Sequence, residues 1–270
     1  MKKVLVTGAA GFIGSHVVAE LLALKPRPKV RALIRPGEPV LALEGMDVEK
    51  VQGDLLDKAA VGAAMEGVDT VFHLAAIYAM WLPDYRNLWE VNMQGSRNIL
   101  WSALRNKVKR VVYTSSIAAI GIAPGRQISS EKTIFNQYAL GSHYILSKYL
   151  SQQEALGFVE NGLDVVVINP AFPFGTNDIG PTPTGKLIVD IVKGTNRFRF
   201  AGGLNIVDVR DVARGHVLAA QKGKPGEIYL MCNKNVTLNE FARMACEAAG
   251  IGNRLSLRLP LPLVQIGTRP

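Results

Sequence analysis

Val4-Leu5-Val6-Thr7-Gly8-Ala9-Ala10-Gly11-Phe12-Ile13-Gly14 opens the chain, and its reading decides the fold. Three apolar residues make a short buried strand, and a helix starts at Phe12. Between them Gly8, Gly11 and Gly14 are spaced three and three. Glycine serves three needs there: a tight turn, close approach of backbone to a phosphate, and a helix packed hard on its strand. Turns use glycine everywhere, so the triplet alone says little. Between a clean strand and a clean helix it reads as a cradle for a dinucleotide pyrophosphate. Gly8, Gly11, Phe12, Ile13 and Gly14 are therefore candidate cofactor contacts.

Outward from this stretch, short Val/Ile/Leu runs alternate with helical segments. Strands are expected at 30–34, 48–52, 70–74, 110–114 and 164–168, and helices at 12–24, 84–106 and 138–160. Such a series makes a parallel sheet covered on both faces, the doubly wound α/β (Rossmann) fold with right-handed crossovers. After Asn169-Pro170 the pattern changes: Pro173, Gly175, Gly180, Pro181, Pro183 and Gly185 predict a long ordered loop. An apolar segment at 206–207, a helix near 212–220, a strand at 228–231 and a helix over 238–249 follow, with Thr237 and Glu240 as a capping box. The expected division is a dinucleotide-binding domain with the catalytic residues over 1–169 and a small C-terminal, mostly substrate-binding lobe over 170–270.

Side-chain chemistry concentrates at the strand ends. Arg35 follows the second strand, where an arginine suits the 2′-phosphate of NADP and an acid would suit NAD; a solvated surface arginine is the other reading. Asp54, with Leu55, follows the third strand, either accepting from an adenine amino group or capping a helix. His73 ends the fourth and reads as structural, whereas Leu74, Ala75 and Ala76 let the sheet approach a cofactor or simply pack. Tyr144 and Lys148 lie four apart, hence on one helix face. A tyrosine titrating near about 10 needs a cation beside it to exchange protons at neutral pH. Lys148 supplies that charge and can also bond a nicotinamide ribose, while Ser116, in Thr114-Ser115-Ser116 at the end of the fifth strand, can hold a substrate oxygen. Tyr78, Met80, Trp81, Phe172 and Phe174 are expected near the substrate, or are plain packing.

Composition narrows the class. The chain has 270 residues, 48% hydrophobic and 20% charged, which is ordinary for a globular protein. Cys232 and Cys246 have no metal-ligand spacing, so no disulfide framework and no metal site are expected. The net charge of +9 is scattered, and its densest cluster (Arg105, Lys107, Lys109, Arg110) falls at a helix C-terminus, where cations are favoured anyway. Nucleic-acid binding is not expected. The start lacks a signal peptide and no apolar run spans a bilayer, so a cytoplasmic location with reduced thiols is expected.

These motifs in this order resemble the extended short-chain dehydrogenase/reductase superfamily. The residues that carry the likeness are the glycine triplet, Asp54, His73-x-Ala75-Ala76, Asn92, Thr114-Ser115-Ser116, Tyr144-x-x-x-Lys148 and Asn169-Pro170. The segment ending in Arg35 resembles the NADP-reading strand of dihydroflavonol 4-reductases. Pro181-Thr182-Pro183-Thr184-Gly185, Gly203-Leu204-Asn205 and Asp211-Val212-Ala213-x-Gly215-His216 resemble the bacterial branch of hopanoid-associated sugar epimerases. The resemblance implies a Ser116–Tyr144–Lys148 triad, a proton relay supported by Asn92, and Pro170, Ala171 and Phe172 along the nicotinamide ring. It also implies a homodimer through the helices after the fourth and fifth strands. The chain departs from that branch at Asp208 and Arg210, where a histidine and an aspartate are usual. Leu204 stands where sugar-nucleotide epimerases commonly carry a phosphate-binding arginine. Members of the family usually run on past Pro270, so part of the lobe beyond the apolar segment 259–266 is expected to be missing. The expected activity is NADP(H)-dependent reduction of a ketone or aldehyde on a small-molecule substrate. The alternatives are a nucleotide-sugar epimerase or dehydratase that retains NAD, and a non-catalytic cofactor-binding regulator.

Overall fold

Strand β1 (Lys3–Thr7) runs into α1 (Phe12–Ala23), and the alternation continues through β2 (Lys29–Ile34), β3 (Glu49–Gln52), α2 (Lys58–Ala64) and β4 (Thr70–His73). A three-part helical run follows: α3 (Arg86–Trp89), a π-helical stretch (Glu90–Gly95) and α4 (Ser96–Arg105). Next come β5 (Arg110–Thr114), α5 (His143–Gly157), β6 (Val165–Pro170), β7 (Phe172–Phe174) and α6 (Pro183–Lys193). The remainder is β8 (Phe198–Arg199), β9 (Gly203–Asp208), α7 (Val209–Lys222), β10 (Ile228–Met231), β11 (Lys234–Thr237), α8 (Leu238–Ala248) and β12 (Leu257–Arg258). The structure, a computed structural model, describes residues 1–125, 127–195, 198–199, 202–252 and 257–258; the apolar segment 259–266 lies outside them.

The chain divides into two units. The first comprises Met1–Pro170 and Val209–Met231, so helix α7 and strand β10 return to it from the C-terminal part of the chain. Its sheet has the order β10-β6-β5-β4-β1-β2-β3, and every pairing is parallel. Alternate residues of each strand feed opposite cores. Leu5, Val71, Val111, Tyr113, Val165 and Val167 pack with Ile99, Leu100 and Ala103 of α4 and Ala155 of α5. Val4, Val6, Phe72, Val112, Val166 and Ile168 pack with Val17, Val18 and Leu21 of α1 and Ala213 and Val217 of α7. Both faces are thus buried, as continuous apolar strands require. This is the doubly wound Rossmann sheet. The second unit holds the described residues of Ala171–Asp208 and Cys232–Pro270. In it β11, β9 and β7 form a small sheet, with β11 antiparallel and β7 parallel to β9. Ile191, Val236, Phe241, Ala242 and Cys246 make its core.

Three local expectations are corrected. The helix expected from 138 is a 3-10 turn (Tyr138–Leu140), a left-handed Gly141 with φ of 62°, and then α5, capped by Ser142. The left-handed glycine ends the first turn and Ser142 starts a new helix, so Tyr144 sits in the first turn of α5. The helix expected over 84–106 carries the π stretch that contains Asn92. The loop expected to run through Pro183 instead enters α6 there: Thr182 accepts the Gly185 N–H at 3.1 Å and Pro183 occupies the first helical position. Proline has no N–H to lose at that place and its fixed φ suits the helix, so a residue read as a breaker is a starter.

Candidate active site

The glycine turn is built as its spacing implies. Gly8 is left-handed (φ 65°), and a Cβ there would stand 2.7 Å from the Ala75 backbone nitrogen at the end of β4. A Cβ on Gly14 would overlap the Gly8 carbonyl oxygen, so α1 lies against the turn as only glycine allows. Gly11, the N-cap of α1, supplies no side-chain cap, and the first turn carries no acid. Among the described residues no side chain caps the first-turn N–H groups of Phe12, Ile13 and Gly14, the condition in which a helix start takes an anion. A groove of about 260 Å³ joins Gly8, Gly11, Arg35, Leu55, Leu74, Ala75 and Ala76. It also includes Glu38, Gly53 and Ile77, which sequence reasoning missed. Asp54 is not among its lining residues, and its carboxylate accepts from the Leu56 N–H at 2.8 Å; the N-cap of α2 is Asp57, three residues on. The glycine cradle, a cation and small residues at the strand ends fit a dinucleotide.

Ser116, Tyr144 and Lys148 come together at the carboxyl end of β5. Ser116 accepts from the Ala118 N–H at 3.1 Å, and its carbonyl accepts from Asn169 Nδ2 at 2.7 Å. Burial drives the Tyr144 hydroxyl well above the ordinary tyrosine range. A hydrogen bond from Ser116 works the other way, while Tyr78 and Tyr113 add to the rise. The Tyr78 ring lies 5.0 Å from that of Tyr144. Lys148 is only 4% exposed, and desolvation brings its ammonium down to about 8. Its Nζ donates to the Thr114 carbonyl at 2.8 Å. The lowering of Tyr144 expected from Lys148 is not seen: desolvation raises the hydroxyl, and the Ser116 hydrogen bond is what opposes it. The proton stays on the phenol.

Buried polar chains brace this cluster. His216 Nδ1 meets the Val212 carbonyl at 2.8 Å and Nε2 meets Thr114 Oγ1 at 2.9 Å. A carbonyl only accepts, so Nδ1 carries the hydrogen and Nε2 accepts from Thr114. Burial lowers His216 to about 4, which keeps it neutral at the residue whose carbonyl holds Lys148. His73 bridges Thr7 Oγ1 (2.8 Å) and Ser96 Oγ (3.0 Å), and burial beside Lys148 lowers it to about 3. Asn92 accepts from the Ile77 N–H at 2.7 Å and donates to the Ile77 carbonyl and Ser147 Oγ, each at 3.1 Å. Its amide therefore ties the segment after β4, which carries Tyr78, to α5. No sequence signal pairs Asn92 with Ile77 or Thr114 with His216, because the partners are brought together by the sheet.

Trp81 is 76% exposed. Pro170 ends β6 and pairs with Met231, while Ala171 and Phe172 belong to the second unit, where β7 pairs with β9. Phe174 packs on Phe241, ring centres 4.9 Å apart. Among the described residues no group of three or more metal-ligating side chains gathers, and no helix is long and apolar enough to cross a membrane.

A parallel doubly wound sheet with this turn and groove defines a dinucleotide-binding α/β protein. The family described as the NAD dependent epimerase/dehydratase family matches residues 4–232, and the chain belongs to it. It is 38% identical over 263 residues to a provisionally named dihydroflavonol 4-reductase of Synechocystis sp., covering 95% of this chain and 76% of that one. It is 36% identical over 261 residues to sterol demethylase protein B of Methylococcus capsulatus, covering 97% and 78%. The UDP-glucose 4-epimerase of Thermus thermophilus, solved in complex with NAD, matches with a TM-score of 0.80 at 25% identity, covering 99% of this chain and 94% of that one. At the level of the family, the cofactor is NAD(P) and the chemistry is oxidoreduction.

Proposed function

We propose that this protein is an NADP(H)-dependent reductase of a small or apolar ketone or aldehyde. One arrangement carries the reading: Ser116 is hydrogen-bonded to the buried Tyr144, and Lys148 lies one turn along α5. The nicotinamide cofactor, when bound, supplies the hydride. Gly8, Gly11, Phe12, Ile13 and Gly14 would hold its pyrophosphate, and Arg35 its 2′-phosphate. Ser116 would bond the substrate carbonyl oxygen, and Tyr144 would pass its hydroxyl proton to that oxygen as negative charge grows there. Lys148 would orient the ribose and stabilise the tyrosinate left behind. The half-exposed aromatic face of Tyr78 beside Tyr144 favours an apolar substrate. Consumption of NADPH with a panel of carbonyl compounds tests the activity. Loss of the signal from every carbonyl, with NAD retained through purification and sugar nucleotides interconverted, would replace this reading by epimerisation.

Reduction needs Tyr144 protonated and Lys148 charged. Tyr144 stays protonated through neutral and mildly alkaline pH, and His73 and His216 are neutral there. Lys148 loses its charge through about 8. The kcat/KM of reduction should therefore be flat near neutrality and fall as pH rises through about 8. A profile with no fall in that range would contradict the role given to Lys148.

Arg35→Asp removes the phosphate partner and adds an acceptor for free ribose hydroxyls. A charged hydrogen bond contributes about 1.5–3 kcal/mol, so NADP affinity should drop roughly ten- to a hundredfold while NAD affinity holds. Dissociation constants for both cofactors decide it, and a wild type that already prefers NAD contradicts the assignment. We also expect a two-fold homodimer through α4 and α5, where Trp101 (43% exposed) and Leu150 (42%) offer apolar surface. Light scattering at micromolar concentration tests this, with a monomer as the contrary result.

A further inference from the structure

The turn after β2 carries a carboxylate whose place the sequence spacing hides. Arg35-Pro36-Gly37-Glu38 closes on itself: the Glu38 N–H donates to the Arg35 carbonyl at 2.9 Å. Pro36 sets the first corner and Gly37, with φ of 79°, takes the second. The Glu38 side chain then reaches back, Oε2 accepting from the Arg35 N–H at 3.0 Å. Glu38 is three residues too late to be the acid expected at a strand end, yet the turn returns it to that end. Arg35 and Glu38 line the same groove as Gly8, Gly11 and Gly53. A cation and an anion therefore share the carboxyl end of β2, where a site of this architecture meets the adenosine ribose.

We propose that Glu38 is a specificity-determining residue that weakens binding of the 2′-phosphorylated cofactor and keeps the groove open to the unphosphorylated one. The inference rests on the reading that Arg35 meets the 2′-phosphate. A phosphate drawn to Arg35 enters a groove that already holds the Glu38 carboxylate, and like charges a few ångströms apart repel, with the repulsion damped by water and salt. A ribose hydroxyl meets no such penalty, because it can donate to Oε1, the oxygen that Arg35 leaves available.

Glu38→Gln isolates the charge. The amide oxygen can still accept from the Arg35 N–H, so the turn keeps both its hydrogen bonds. Titrating the cofactor-free protein with NADP⁺ and NAD⁺, followed by calorimetry, reads affinity without any turnover. NADP⁺ should bind about tenfold tighter to Glu38→Gln, a shift of about 1.4 kcal/mol, and NAD⁺ should bind no tighter, because the amide keeps its oxygen on Arg35 and offers the ribose an N–H in place of Oε1. The gain should shrink at high salt. Glu38→Ala, which removes charge and hydrogen bond together, should show the same gain if the charge is the cause. Unchanged NADP⁺ affinity in both variants overturns the proposal. Arg35→Ala tests the underlying reading separately: if it too leaves NADP⁺ affinity unchanged, the phosphate is not held at Arg35. If Arg35→Ala weakens NADP⁺ and the Glu38 variants do nothing, only the role of Glu38 falls.

Discussion

Tyr144→Phe should cut kcat by about a hundredfold to ten-thousandfold while the dissociation constant of the cofactor stays within about twofold of wild type. The substitution deletes one oxygen. The phenyl ring keeps the packing against Tyr78, whose ring centre is 5.0 Å away, and the α5 backbone is untouched. Lys148 keeps its bond to the Thr114 carbonyl, which does not pass through the phenol. Only the group proposed to deliver the proton is lost, so the effect should fall on the chemical step. Steady-state kinetics with cofactor titration separate the two, and a wild-type kcat in the variant would remove Tyr144 from the mechanism.

Gly14→Ala is expected to injure fold and cofactor site together. The new Cβ would overlap the Gly8 carbonyl oxygen, and backbone on both sides leaves no side chain to swing aside. Helix α1 must then move off the turn, at a cost of about 1–3 kcal/mol or more, which lowers Tm by several degrees in a chain of this size. Affinity for either cofactor should fall, because the cradle distorts with the helix. Gly62→Ala in α2 is the control: a Cβ there meets nothing within 4 Å, and an alanine inside a helix should be neutral or stabilising. Thermal melts of both variants check the pair. Equal melting temperatures would show that the glycine triplet is not required for packing.

The contrast between these residues shows which parts of the fold are legible in sequence. Val4, Leu5 and Val6 announce a buried strand because burial on both faces demands uninterrupted apolar residues, and the core places them on alternate faces. Tyr144 and Lys148 are legible because four residues make one helical turn. Gly141 and Pro183 misled because each has two uses: a glycine can end a turn inside a helical pattern, and a proline can begin a helix as well as break one. Glu38 was hidden by a turn that folds it back, and His216 by a hydrogen bond to a residue 102 positions earlier. Contacts made by the sheet have no local period, so no pattern along the chain reveals them.

In the proposed net reduction, hydride ends on the carbonyl carbon and the proton of Tyr144 on its oxygen. Mass spectrometry of the alcohol formed with NADPH deuterated at the transferable C4 position tests it most directly. Deuterium is expected on the carbinol carbon, a mole for each mole of cofactor oxidised, with Tyr144→Phe forming the product about a hundredfold to ten-thousandfold more slowly. Product free of deuterium, or conversion of substrate with no net oxidation of the cofactor, would contradict it.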